Sequence, residues 1–369
     1  MISTSVPGCL ELIGNHTDYN EGHVLAFAIN LGITIHGKKQ KDNVVTLKSA
    51  ELEEETFTLK DIVRRPHAPW ANCCKGVILQ LQQADAPLGG FHAEIHSTLP
   101  TNTEMGSNAA IEIATLLLLQ KLFNFEFGNM NDLGTQMAIA RICQAAEIDF
   151  VGNKCGILNH AIPLVGKKNH VVFMDCRSQE TEILPLRPET CFVVCHSGVK
   201  HMLLSSKYNA RWNECNEAVR ILQMNKIQIQ ALCELSSEDI RNNSNIFPPR
   251  IFQRAMHVTT ENERVLEAKK ALLRSDMSTL GQLMFGSHES SRQAFENSTP
   301  FLDQLVEIAR SLPSCIGSRL TGSGFGGSTL NLVYQKDVEA FITELTKQYR
   351  KQSGKEPRTW VVKASDKVQ

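Results

Sequence analysis

Residues Pro7 to Leu25, PGCLELIGNHTDYNEGHVL, constrain this chain more than any other stretch. A largely apolar run, Leu10 to Ile13, reads as a strand that stops at Gly14, and a polar cluster follows at once in Asn15, His16, Thr17 and Asp18. Tyr19-Asn20-Glu21-Gly22 then has the composition of a turn. Short polar side chains at the mouth of a strand suit a hydroxyl-rich ligand, because each ligand hydroxyl needs a fixed donor or acceptor. An Asx-type turn that satisfies only its own backbone fits the same residues, and the stretch alone does not choose between the two.

The remainder alternates strand and helix signals. Ile33, Ile35 and Gly37 alternate with Thr34 and His36, and Val44 to Leu47 is rich in β-branched residues, so both predict strands. WANCCKGVILQLQQ from Trp70 predicts a helix. Phe91, Ala93, Ile95 and Leu99 alternate with polar neighbours in a strand that Pro100 ends. The loop TNTEMGSN then opens into a helix over about 109–123. Strand, loop and buried helix in that order make a phosphate cradle, since backbone N–H groups at a helix N-terminus favour anions. Further strands are expected at His170–Met174 and Cys191–Cys195, with a domain boundary between them, giving domains 1–178 and 179–369. Trp212 to Met224 predicts a helix. RLTGSGFGGSTLNLV, from Arg319, carries Gly322, Gly324 and Gly327 at dinucleotide-fingerprint spacing, but a strand rather than a helix follows it, so that reading fails. Val338, Phe341, Ile342, Leu345 and Tyr349 share a helical face, and residues 359–363 form a closing strand.

A net charge of −1 gives no reason to expect nucleic acid or an acidic membrane as partner. The longest apolar run, Ile113 to Leu119, is far short of a membrane span of roughly 18 residues. No secretory leader precedes the first motif, and eleven cysteines scattered without a framework read as reduced thiols of a cytoplasmic protein.

Three of these stretches, in order, resemble the motifs of galactokinases, members of the GHMP kinase superfamily. The first retains Gly8, Leu12, Ile13, Gly14, His16, Thr17, Asp18, Tyr19 and Asn20, but has Cys9 where the family has Arg and Asn15 where it has Glu. The second is the loop before the helix at 109, the third is the glycine-rich turn at 319–333, and the resemblance runs from Pro7 to about Ser365. It implies an α+β fold of two domains with the active-site cleft between them, and ATP-dependent phosphorylation of galactose at its anomeric hydroxyl with Mg-ATP. By the same resemblance the sugar contacts are Asn15, His16, Asp18, Gly156, Asn159 and Tyr208. Trp70, whose family counterpart lies by adenine, joins Gly106, Ser107 and Asn108 on the nucleotide, and Asn108 and Glu147 stand at the magnesium positions. Trp70 as an ordinary core residue and Tyr208 as a structural tyrosine are the plainer readings of the same residues.

The departures all fall on chemistry. Asn159 replaces the family's catalytic Asp, and a neutral amide holds a hydroxyl but does not take its proton. Cys9 removes the positive charge that belongs beside that Asp and the transferring phosphoryl. Asn102, Thr103 and Glu104 cover the loop's glycine region, and Gly106, Ser107 and Asn108 cover its three serines. Glycine matters there for close approach to phosphate, and Glu104 adds like charge near the triphosphate. Three expectations follow. The chain is a non-catalytic sugar binder, acting as a sensor or partner-binding regulator; or a weak or altered sugar kinase in which His160 or Glu104 takes over part of the work; or a scaffold that binds neither ligand.

Overall fold

The computed structural model describes residues 1–49, 52–199 and 204–368. Strands β1 (Ile2–Ile13), β2 (His23–Lys39), β3 (Val44–Ser49), β4 (Leu52–Thr58), β5 (Phe91–Ser97), β6 (His170–Asp175) and β7 (Thr181–Pro185) form one sheet. Its order is β4-β3-β5-β2-β6-β7, with β1 also paired to β2. The length of β2 makes this possible: Ile33–Lys39 pairs with β5, His23–Ala26 pairs with β6, and β1 runs antiparallel along it from Gly37 to Leu25. Helices α1 (Pro69–Gln83), α2 (Ser107–Phe123), α3 (Leu133–Ala145) and α4 (Leu158–Val165) accompany this sheet, and α2 packs on β1 and β2. Helix α2 is apolar on nearly all faces, as a helix enclosed by neighbours must be.

The second sheet is antiparallel, β11-β8-β10-β9, built from β8 (Thr190–His196), β9 (Cys315–Leu320), β10 (Ser328–Tyr334) and β11 (Arg358–Val362). Around it lie α5 (Leu204–Met224), α6 (Ser237–Asn242), α7 (Pro249–Leu273), α8 (Met277–Ser290), α9 (Pro300–Ser311) and α10 (Val338–Ser353). Phe27 of β2 stacks on Phe192 of β8 at 4.4 Å between ring centres, and Ile29 bridges to Ala364, so one core runs through both halves. The two-domain α+β architecture expected from the motifs is the one observed. The boundary is not where it was expected. A division after residue 178 cuts the turn of the β6–β7 hairpin, whose strands are hydrogen-bonded from His170↔Pro185 to Met174↔Thr181. The break between sheets falls instead between Pro185 and Thr190.

All eleven cysteines are free thiols. Among the described residues no helix is long and apolar enough to cross a membrane.

Candidate functional site

A cavity of about 580 Å³ opens where the end of β1, the loop into α2, the start of α4, helix α5 and the β9–β10 turn converge. The first motif reaches it on a fixed backbone. The N–H groups of Gly14 and Asn15 both donate to Glu261 Oε1 at 3.2 Å, and that carboxylate also accepts from Ser287 Oγ and Arg264. Burial opposes ionisation of Glu261, but Arg264 and Arg319 outweigh it and pull the carboxyl down to about 2. His257 holds the carbonyl of Asn15 at 3.0 Å. Helices α7 and α8 thus position the polar cluster.

The cluster divides into residues already committed to the protein and residues free to meet a ligand. Asn15 lines the cavity, but its Nδ2 donates to Gly322 O at 2.9 Å and its Oδ1 accepts from Asn297 Nδ2 at 3.0 Å and Ser291 Oγ at 3.3 Å. His16 is engaged at both ring nitrogens, Nδ1 with Tyr19 Oη at 3.0 Å and Nε2 with Asn297 Nδ2 at 3.2 Å. Burial lowers its pKa well below the usual histidine value, so it stands as a neutral ring packed at 4.5 Å on Phe295. Asp18 and Tyr208 face the cavity. The Tyr208 hydroxyl has no hydrogen-bond partner among the described residues, and burial, followed by nearby Asp18, pushes its pKa well up. Burial and then the neighbouring Glu11 push the Asp18 carboxyl up to about 7. Gly156 packs directly beneath Asp18: a Cβ there would lie 2.0 Å from Asp18 Oδ2, so no other residue fits.

Cys9 and Asn159 meet each other. The Cys9 thiol donates to Asn159 Oδ1 at 3.3 Å, and burial, then Glu11, pushes that thiol up to about 12. Both members of the pair are neutral.

The loop into α2 is bent through left-handed backbone at Asn102, Glu104 and Gly106. Its Glu104 does not point at a vacant phosphate position as a repelling charge. Its Oε1 accepts from Ser323 Oγ at 2.9 Å. Burial pushes it up to about 8. A Cβ at Gly322 would lie 1.9 Å from Glu104 Oε2, so the glycine of the third motif is what admits the carboxylate. Successive backbone N–H groups in such a turn can form an anion-binding nest, and here the Glu104 side chain, kept protonated by burial, occupies the space beside it. Gly106, Ser107 and Asn108 line the cavity, but Asn108 Nδ2 donates to Glu147 Oε1 at 3.0 Å, so the two expected magnesium positions bond to one another. Together, a turn occupied by the chain's own side chain and an amide directed at the one carboxylate do not fit a magnesium-bound triphosphate. Trp70 does not line the cavity; it packs, half-buried, against the core of the first half. His160, expected as a residue that could take over part of the catalytic work, is wholly buried on α4 behind the cavity, with Nε2 at 2.7 Å from Glu112 Oε2, and is not among the lining residues.

Glu11 and Lys154 are among the lining residues that escaped the sequence reading. Glu11 lines the cavity and pairs with the fully buried Arg319, whose Nη1 lies 2.8 Å from Glu11 Oε1 and also donates to the Glu11 and Leu12 carbonyls. The signal was present: Glu11 is two positions from Cys9 on a strand, hence on the same face. Lys154 lies at the cavity rim, donating to Asn213 Oδ1 at 2.8 Å with its ammonium 4.0 Å over Trp212. No local pattern marks it.

Residues 2–39 match the galactokinase galactose-binding signature, 72–167 the GHMP kinases N terminal domain and 268–351 the GHMP kinases C terminal. The chain is 39% identical over 350 residues to a galactokinase of Chloroflexus aurantiacus, spanning 95% of this chain and 88% of that protein. It is 40% identical over 341 residues to a human galactokinase, spanning 90% and 83%. A galactokinase of Lactococcus lactis, solved in complex with galactose, superposes with a TM-score of 0.93 at 29% identity, over 100% of this chain and 94% of that one. A mevalonate kinase at 19% identity shares the fold, with a TM-score of 0.67.

Proposed function

The chain belongs to the galactokinase family of the GHMP kinases, and from that membership we propose that it binds a galactose-like sugar while phosphoryl transfer is lost or nearly so. The family's chemistry is ATP-dependent phosphorylation of a sugar. The observation that carries the proposal is the hydrogen bond from Cys9 to Asn159, which puts two neutral groups where the reaction needs a base and a cation. The turn occupied by Glu104 supports it, because phosphate oxygens would have to displace that side chain.

In this reading the sugar hydroxyls meet Asp18, Tyr208 and the amide of Asn159. Asn15, His16 and Gly156 shape the pocket around them. Gly106, Ser107, Asn108 and Glu147 mark the place of the family's nucleotide and metal, and the ligand cleft lies between the two sheet-based domains. A role as a sugar sensor follows naturally for a protein that recognises its ligand without consuming it.

A residual kinase is the second reading, and Asp18 favours it. That carboxyl stands near neutrality inside the cavity and can accept a proton. His160 and Glu104 are poorly placed for the same task, one behind the cavity wall and the other bound to the third motif.

Isothermal calorimetry with galactose and with Mg-ATP, beside a coupled kinase assay, tests the proposal. Heat on galactose addition with no turnover is expected. Turnover at ordinary kinase rates would overturn it, and absence of sugar binding would leave only a scaffold.

A further inference from the structure

Beneath the cavity floor lies a cluster that sugar binding does not use. One donor atom each from Glu147, Cys155 and His160 falls within 4.8 Å of the others. Glu147 sits in a π-helical turn at residues 146–151 after α3, Cys155 in the loop before α4, and His160 on α4 itself. Outside this set of three, Glu112 Oε2 on α2 holds His160 Nε2 at 2.7 Å; Glu147 Oε2 lies 3.4 Å from the same nitrogen.

The charge balance of this cluster is unusual. Glu112 and His160 are wholly buried and Glu147 nearly so. Among the described residues neither carboxylate forms an ion pair with a lysine or arginine, and Glu112 Oε1 and His160 Nδ1 have no hydrogen-bond partner. Two acids enclosed with one imidazole are costly without a compensating cation. Meanwhile Asn108 and Asn153 donate to Glu147 Oε1 at 3.0 and 3.3 Å, which orients the carboxylate and leaves Oε2 turned toward the histidine. Outer hydrogen bonds of that kind hold a metal-binding carboxylate in place.

We propose that Glu147, Cys155 and His160, with Glu112 steadying the histidine, form a binding site for a zinc-like divalent transition metal. A thiolate, an imidazole and carboxylates are the donors that zinc and cobalt prefer in four-coordinate sites. Magnesium instead seeks six oxygens and keeps several waters, which a buried sulfur- and nitrogen-containing cluster does not provide. The ion enters from the cavity, since Glu147 and Cys155 line it, whereas His160 and Glu112 lie behind them. Binding releases the thiol proton to solvent as the Cys155–metal bond forms, and no electron transfer is involved. The site does not depend on the sugar reading.

The test is titration of the chelator-treated full chain with Co²⁺, without sugar or nucleotide, followed by absorption spectroscopy and then competition with Zn²⁺. We expect one cobalt per chain, a thiolate-to-cobalt charge-transfer band, tetrahedral ligand-field bands, and displacement by zinc. Cys155→Ser should abolish the charge-transfer band, and His160→Gln should weaken cobalt binding by at least ~10-fold. Cys73→Ser, altering a neighbouring buried thiol outside the set, should leave the band intact. The proposal is overturned if the wild-type chain shows no such band, if the band disappears with Cys73→Ser instead of Cys155→Ser, or if magnesium competes at concentrations similar to zinc. Should Cys155→Ser fail to fold, the wild-type spectrum and His160→Gln still decide.

Discussion

The Cys9 thiol donates to the Oδ1 of Asn159 across 3.3 Å, linking the strand of the first motif to the first turn of α4, 150 residues away. The two substitutions are therefore one structural event. A carboxylate at 159 with a buried thiol beside it would lack a cation, and a guanidinium at 9 facing an amide would lack an anion. Each neutral residue fits because the other is neutral.

That coupling is measurable. Asn159→Asp alone adds a third acid near Asp18 and Glu11, and because residue 159 is exposed it should destabilise the chain by no more than about 1 kcal/mol. Adding Cys9→Arg should show a favourable coupling energy of about 0.5–1 kcal/mol in a double-mutant cycle by urea unfolding. Additive effects of the two changes would contradict the pairing.

Glu104 makes stability depend on pH. Its carboxyl is raised from 4.5 to about 8 by burial, so the folded chain holds that proton more tightly than the unfolded chain. Its contribution is fully present below about 4.5 and is lost as pH rises through about 8, on the order of 5 kcal/mol in total. Glu104→Gln should flatten the fall in unfolding free energy across that window. An identical pH profile for the two proteins would show that Glu104 is not buried against Ser323 in solution.

Glu11 neutralises Arg319 inside the protein. Replacing it with Gln leaves the buried guanidinium with only Glu261 as a nearby acid, and a loss of about 1–3 kcal/mol is expected. Denaturant unfolding reads this directly, and a change below about 1 kcal/mol would mean that solvent reaches the pair.

Tyr208→Phe separates sugar recognition from stability. Its hydroxyl bonds to no described residue, so the melting temperature should hardly move, while galactose affinity should fall about 5- to 10-fold as one hydrogen bond is lost. Unchanged affinity by calorimetry would remove Tyr208 from the sugar site.

The sequence by itself determined the order of the three motifs and, through their resemblance to galactokinases, the two-domain α+β fold and the loss of charge at positions 9 and 159. Those features are written in residue types at fixed spacing along the chain, which need no partner to be read. The tertiary structure alone decided which polar residues are free. Asn15 and His16 are consumed by Asn297, some 280 positions downstream, and Glu104 by Ser323, 219 positions away. It also carried His160 behind the cavity wall, kept Trp70 against the core, and placed β7 in the first sheet. A side chain's hydrogen-bonding capacity is spent on whatever the fold brings within about 3 Å, and contacts between segments so distant leave no pattern along the chain.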